Sequence, residues 1–110
     1  PVIYEMIYNL VDNGIKYNIE GGKVEINIQN MMESKCVILT IKDTGIGIPA
    51  SEKDRIFERF YRIDKSRSKQ NGGTGLGLSI VKHAAKYHGA SILLNSEVGK
   101  GSTFTVIFPV

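Results

Sequence analysis

The chain has 110 residues, 42% of them hydrophobic, which fits one domain with one core. No apolar run approaches the ~18 residues of a membrane-spanning helix, and the stretch Pro1-Val2-Ile3-Tyr4-Glu5 does not read as a signal peptide. The net charge of +3 is mild; its surplus gathers in Arg59, Arg62, Lys65, Arg67 and Lys69, which either form a solvated face or meet phosphates, of a nucleotide or of nucleic acid.

Residues 2 to 17 read as a helix, with Ile3, Ile7, Leu10, Val11 and Ile15 forming one apolar face. Gly21-Gly22 breaks it. Val24 to Gln29 alternates apolar and polar residues, the pattern of a half-buried strand. Met31 to Lys35 reads as a hairpin turn. Cys36 to Lys42 is a better-buried strand, and the lone cysteine within it excludes an internal disulfide and reads as a packing residue. That usage fits a reducing compartment. Asp43-Thr44-Gly45-Ile46-Gly47-Ile48-Pro49 closes the strand with a turn.

Ser51 is placed to cap a short helix through Phe60, with Asp54 three residues on. Arg62 to Gly73 is a polar, basic loop long enough to suggest function or disorder. Leu76 to His88 reads as a second amphipathic helix, closed by Gly89. Ser91 to Ser96 and Thr103 to Phe108 read as strands joined by the turn 97–101, with Pro109 stopping the last. The order α, β, β, short α, α, β, β suggests an α/β two-layer sandwich, a mixed sheet covered on one face by helices.

Four segments carry possible chemistry. At about 100° per residue, Asn9, Asn13 and Lys16 fall within a sector of about 60° on the first helix. Two asparagines one turn apart gain nothing from helix propensity. They form a wet face, or an oxygen ligand for Mg²⁺ beside a lysine for phosphate. Asp43 ends a buried strand, where a carboxylate can accept a hydrogen bond from an exocyclic amine such as that of adenine. The glycines after it let the backbone approach a flat base, although Asp-Thr-Gly is also good turn chemistry. Gly72-Gly73-Thr74-Gly75-Leu76-Gly77-Leu78-Ser79 opens into a helix, where free N–H groups and the dipole favour a phosphate. Its spacing is neither that of a dinucleotide fingerprint nor that of a P-loop. In Ile56-Phe57-Glu58-Arg59-Phe60-Tyr61-Arg62 the aromatics read as packing, with Phe57 and Phe60 anchoring the following loop to the core. Arg62 is placed to stabilise charge on a transferring phosphate. His83 and His88, five apart on the last helix, share no face and read as surface and helix-terminal residues.

Together these segments resemble the sequence boxes of sensor histidine kinases. Asn9-Leu10-Val11-Asp12-Asn13-Gly14-Ile15-Lys16-Tyr17 resembles the N box and Asp43 to Pro49 the G1 box. Ile56 to Arg62 resembles the F box and Gly73 to Leu78 the G2 box. Gly99-Lys100-Gly101-Ser102-Thr103-Phe104 resembles the last glycine box. The resemblance spans essentially the whole chain and implies the Bergerat ATP-binding fold, a mostly antiparallel mixed sheet with helices on one face, shared with gyrase-type and heat-shock chaperone ATPases. By resemblance, residues 1–110 form one ATP-binding catalytic domain with a lid over ATP at about 49–74.

The resemblance assigns Mg²⁺ to Asn13, with Asn9 beside it and Lys16 and Tyr17 facing the phosphates and the nucleotide. Asn9, Lys16 and Arg62 would be the catalytic group. Asp43 would read the adenine amine, with Gly45, Ile46, Gly47, Ile48 and Phe60 around the nucleotide. Gly73, Thr74, Gly75, Leu76, Gly77 and Leu78 would hold phosphates, and Thr103 or Ser102 would support the adenine end. Hydrolysing relatives carry a water-activating glutamate where Asn9 stands, and an amide cannot act as a base. This favours transfer of the γ-phosphoryl group to a protein nucleophile over hydrolysis. The F box together with Asn9 also argues against serine-directed relatives, and intact Asn13, Lys16, Asp43 and the glycine run argue against a binding module that has lost catalysis.

In the family that nucleophile is a histidine on a separate dimerisation domain, and a response regulator lies downstream in two-component signal transduction. These 110 residues hold neither that helical hairpin nor the family's preceding helix and edge strand, and so read as part of a longer kinase. The expected state is a monomeric cytoplasmic domain of a membrane-anchored parent, binding no nucleic acid, not inserting into a membrane, and not phosphorylating itself.

Overall fold

The computed structural model describes residues 2–59, 61 and 77–110. Its first helix, α1, spans Val2–Lys16, with Glu5 in the first turn and Lys16 in the last, each of the sign the helix dipole favours there. Its buried stripe is Met6, Leu10 and Gly14; Leu10 belongs to the expected face, whereas Met6 and Gly14 each stand one position before the expected Ile7 and Ile15. Ile3 is 44% and Ile15 61% exposed, and Ile7 and Val11 are only partly buried. The helix is apolar on two adjacent sides, so periodicity alone could not choose between them. The side against the second helix won because Ala84 and Ala85 there let the two backbones approach.

The strands are β1 (Val24–Met31), β2 (Cys36–Asp43), β3 (Ser91–Glu97) and β4 (Gly101–Pro109). The second helix, α2, spans Gly77–Tyr87. Strand order is β1-β2-β4-β3. The expected mixed sheet is antiparallel at every ladder among the described residues. Both outer pairs are hairpins, which fixes their direction, and the chain returns through α2 and β3 to lay β4 antiparallel to β2. Strand β4 begins at Gly101, ahead of the expected Thr103, and Pro109 closes it as its last residue.

Opposed residues share a sheet face, so the register defines rows across the sheet. Ile26, Ile41, Phe104 and Leu94 form one such row, and Ile28, Leu39, Val106 and Ile92 the next. On β2 and β4 these residues meet Met6, Leu10, Val81, Ala84 and Ala85 of the helices in one core. Full burial of each large side chain there contributes about 1.5–3 kcal/mol. Strand β1 was expected to be half-buried, but Ile26 is 52% and Ile28 64% exposed. It is one of the two edge strands, and only its Val24 packs against the core.

The expected helix from Ser51 to Phe60 is instead a single 3-10 turn, Ala50–Glu52, followed by hydrogen-bonded turns. Pro49 stands at its N-terminal flank without a side-chain cap, and Ser51 lies inside the turn. Side chains hold this segment. Phe57 packs edge-on against Phe104 at 6.2 Å. The Tyr61 hydroxyl hydrogen-bonds Glu52. Arg55 donates to Glu58 at 2.9 Å and lies 4.3 Å over the Tyr61 ring. The anchoring expected of Phe57 is therefore present, and Phe60 lies outside the described residues.

Candidate functional site

A third row crosses the sheet at the end of β2. It runs Val24, Asp43, Ser102, Ser96, so a polar layer caps one end of the apolar core. Asp43 is only 7% exposed and Ser102 5%. The Asp43 carboxylate accepts hydrogen bonds from the Gly45 N–H at 2.8 Å and the Ser102 N–H at 3.2 Å. Both end on Oδ1, and Oδ2 accepts none among the described residues. Burial pushes the Asp43 carboxyl above its ordinary value, and the two backbone N–H groups offset part of that. A buried carboxylate with one oxygen held and one unengaged is suited to receive an amine from a ligand.

The turn after Asp43 has no regular structure of its own and is held from three sides. Ile46 donates to the Tyr17 carbonyl at 3.0 Å, and Thr44 to the Lys23 carbonyl at 3.2 Å. Gly99 donates to the Ile46 carbonyl at 2.8 Å, and Ile48 to the Ser96 hydroxyl at 2.7 Å. A side chain on Gly45 would begin 2.4 Å from the Tyr17 carbonyl oxygen. Gly47 has φ +77, and a Cβ there would stand 2.1 Å from the Glu97 carbonyl oxygen. Glycine is thus required at Gly45 by close approach, and at Gly47 by close approach and by backbone conformation. Ile46 is exposed beside the carboxylate, whereas Ile48 is buried in the core cluster.

Helix α1 reaches the same place. A Cβ on Gly14 would lie 3.5 Å from Asp43 Cβ, so the carboxylate stands against α1 one residue beyond Asn13. Asn13 is half-buried, and its amide has no hydrogen bond among the described residues. Asn9 donates from Nδ2 to the Glu5 carbonyl at 2.7 Å. Its Oδ1 lies 3.1 Å from where a Cβ on Gly77 would sit, which sets it against the first residue of α2. Lys16 pairs with Asp12 at 3.0 Å, both about one-third exposed. Tyr17 contributes its backbone, with its carbonyl holding Ile46. Leu78 packs against the core from the first turn of α2.

The structure therefore gathers Asn13, Tyr17, Asp43, Gly45, Ile46 and Gly47 at one end of α1, and Asn9 with Gly77 one turn away. Thr103 is not among them. It pairs with exposed Lys42, on the sheet face opposite Asp43, because successive strand residues alternate faces. Its neighbour Ser102 takes the position beside the carboxylate. Arg62, Phe60, Gly73, Thr74, Gly75 and Leu76 lie outside the described residues. Sequence reasoning missed Ser96 and Asp12. The signal for Ser96 was a polar residue in the inward series Ile92, Leu94, Ser96, legible only once the register is known. Among the described residues no cluster of three His, Cys, Asp or Glu could hold a metal ion.

Comparison with known proteins bears on this geometry. The family model for histidine kinase-, DNA gyrase B- and HSP90-like ATPases matches residues 1–110. The chain belongs to that family. Within this ATPase family it is similar to the signal transduction histidine-protein kinase ArlS of Staphylococcus aureus, 44% identical over 98% of this chain and 24% of ArlS. Among solved structures it is similar to the catalytic domain of histidine kinase ThkA, with a TM-score of 0.80 and 31% identity over 98% of this chain and 67% of that one. Full-length ShkA in complex with AMPPNP gives a TM-score of 0.83 and 28% identity over 98% of this chain and 21% of ShkA. The chain spans 18–24% of the length of the curated relatives it matches first. The α/β architecture and the ATP-binding class are those of this ATPase family.

Proposed function

We propose that residues 1–110 are the catalytic domain of a longer sensor histidine kinase, binding Mg-ATP and giving its γ-phosphoryl group to a histidine on a separate dimerisation domain. A response regulator would then take the phosphoryl group in a two-component pathway. The observation that carries the reading is Asp43, buried, held on one oxygen by two backbone N–H groups, with its other oxygen accepting no hydrogen bond among the described residues. The adenine amine supplies the donor that this oxygen lacks, and Ile46 and Gly47 supply a surface for the ring.

The Asn13 amide, without a partner among the described residues and one residue from the Asp43 contact on α1, fits Mg²⁺. One amide oxygen can serve beside phosphates and water, since Mg²⁺ often keeps waters and substrate oxygens in its shell. When bound, the ion neutralises phosphate charge. Lys16 would turn toward the phosphates from its pairing with Asp12, and Asn9 and Gly77 would face the phosphate end. Arg62 and the run from Gly73 to Leu76 complete this reading as phosphate contacts, with 49–74 as the lid. The names of the relatives support a sensor kinase; its sensing part would lie elsewhere in a parent that this reading takes as membrane-anchored. No described helix is long and apolar enough to cross a membrane.

Titrating the chain with AMPPNP and Mg²⁺, followed by amide chemical shifts, tests the reading. Saturable shifts centred on Asp43 to Ile48 are expected. No perturbation at millimolar nucleotide with Mg²⁺ present would sink it.

A further inference from the structure

The polar layer at the end of the core contains an uncharged residue, Ser96, whose hydrogen bonds go to Ile48, Gly101 and Ser102 and not to Asp43 itself. The Ser96 hydroxyl accepts the Ile48 N–H at 2.7 Å, lies 2.7 Å from the Ser102 hydroxyl, and donates toward the Gly101 carbonyl at 3.1 Å. Ser102 in turn holds Asp43 through its backbone N–H. One hydroxyl therefore joins the two ends of the loop that frames the ligand: Asp43 at its start through β4, and Ile48 at its finish directly.

We infer that Ser96 is a positioning residue for nucleotide recognition, fixing the Asp43 carboxylate and the Ile46-Gly47-Ile48 backbone at one separation and so setting preference for a base with an exocyclic amine. The inference rests on the reading of Asp43 as the base-binding group. Its physical basis is that the loop has no ladder of its own. Asp43 itself holds the start of the loop through Gly45, and of the bonds among the described residues that hold Ile46 to Ile48, only the Ser96 bond comes from a side chain. Without the hydroxyl, the partly buried Ile48 N–H loses its acceptor and the loop gains freedom where the base must slot.

The experiment compares binding of ATP and of inosine triphosphate, in which a carbonyl replaces the amine, to the wild-type chain and to Ser96→Ala, Ser96→Thr and Ser96→Cys. Wild type prefers ATP. Ser96→Ala weakens ATP binding about tenfold while inosine triphosphate changes little, so the ratio moves toward parity. Ser96→Thr keeps the hydroxyl in a residue suited to a strand and restores the ratio. Should Ser96→Ala not fold, Ser96→Cys keeps the volume with a poor acceptor and is expected to lose the preference. A purely structural serine would weaken both nucleotides alike, and that result overturns the inference. Wild-type preference retained in the Ala or Cys variant overturns Ser96 alone. A wild type that binds both nucleotides equally removes the reading of Asp43, and the role of Ser96 with it.

Discussion

Asp43 is placed where ionisation opposes folding, and this gives it a signature. Its native carboxyl titrates above the ordinary value of 3.8 because burial disfavours the charge. The folded state therefore binds a proton more readily than the unfolded one. The resulting destabilisation is complete above the native pKa and is relieved as pH falls from that value toward 3.8. Asp43→Asn keeps an oxygen for the Gly45 and Ser102 N–H groups and removes the charge. Its melting temperature should exceed that of wild type at neutral pH, with the gap closing on acidification. The same change turns an amide donor toward the base, so ATP affinity should fall roughly 10- to 100-fold. Asn13→Asp should instead leave metal-free nucleotide binding close to wild type and alter its dependence on Mg²⁺. Calorimetry with and without Mg²⁺ separates the two, and equal affinity losses in both variants would contradict the roles assigned to them.

The loop between β2 and the 3-10 turn is shaped as much by the β3–β4 turn as by its own residues. Gly47 bears on the Glu97 carbonyl, whereas Gly99, with φ +83, has open space within 4 Å of where a Cβ would stand. Gly99→Ala should thus carry only the left-handed backbone penalty of about 1–2 kcal/mol. Gly47→Ala should carry that penalty and a steric clash, and should weaken nucleotide binding as well as lower the denaturation midpoint. If both variants lose the same stability and neither loses affinity, the contact between loop and turn is not what shapes the site.

This dependence between distant segments also explains what could be read in advance. Strand β2 was legible because apolar, β-branched residues run from Cys36 to Ile41. Asp43 and the glycines stood out because their chemistry exceeds what a turn needs. The inward stripe of α1 was legible in Leu10 but not in Met6 and Gly14, since two adjacent sides are apolar and the choice belongs to Ala84 and Ala85, some 70 positions away. The 3-10 turn was misread as a helix because Ser51 resembles a cap. The choice of Ser102 over Thr103 needed the register against Asp43, and so did any role for Ser96.

On the proposed reading the whole domain is a phosphoryl donor, and its described residues offer no acceptor histidine beside the site. His83 is exposed on α2, and His88 packs its ring against Tyr87 and Phe108. Neither sits in the cluster around Asp43 and Asn13. A water-activating base is likewise missing one turn before Asn13, where the Asn9 amide is tied back to the Glu5 carbonyl. An amide oriented in this way can position groups but cannot take a proton from water. Bound ATP should therefore persist on the isolated chain, with neither steady phosphate release nor labelled histidine on the chain itself. Adding the parent's dimerisation domain should produce acid-labile label on that domain alone, because transfer needs the nucleophile brought in line with the γ-phosphorus. Asn13→Asp should slow this labelling at saturating ATP, and Asp43→Asn should slow it mainly by raising the ATP needed. Continuous phosphate release by the chain alone, at a rate unchanged by the added domain, would make it a hydrolase and overturn the reading of Asn9.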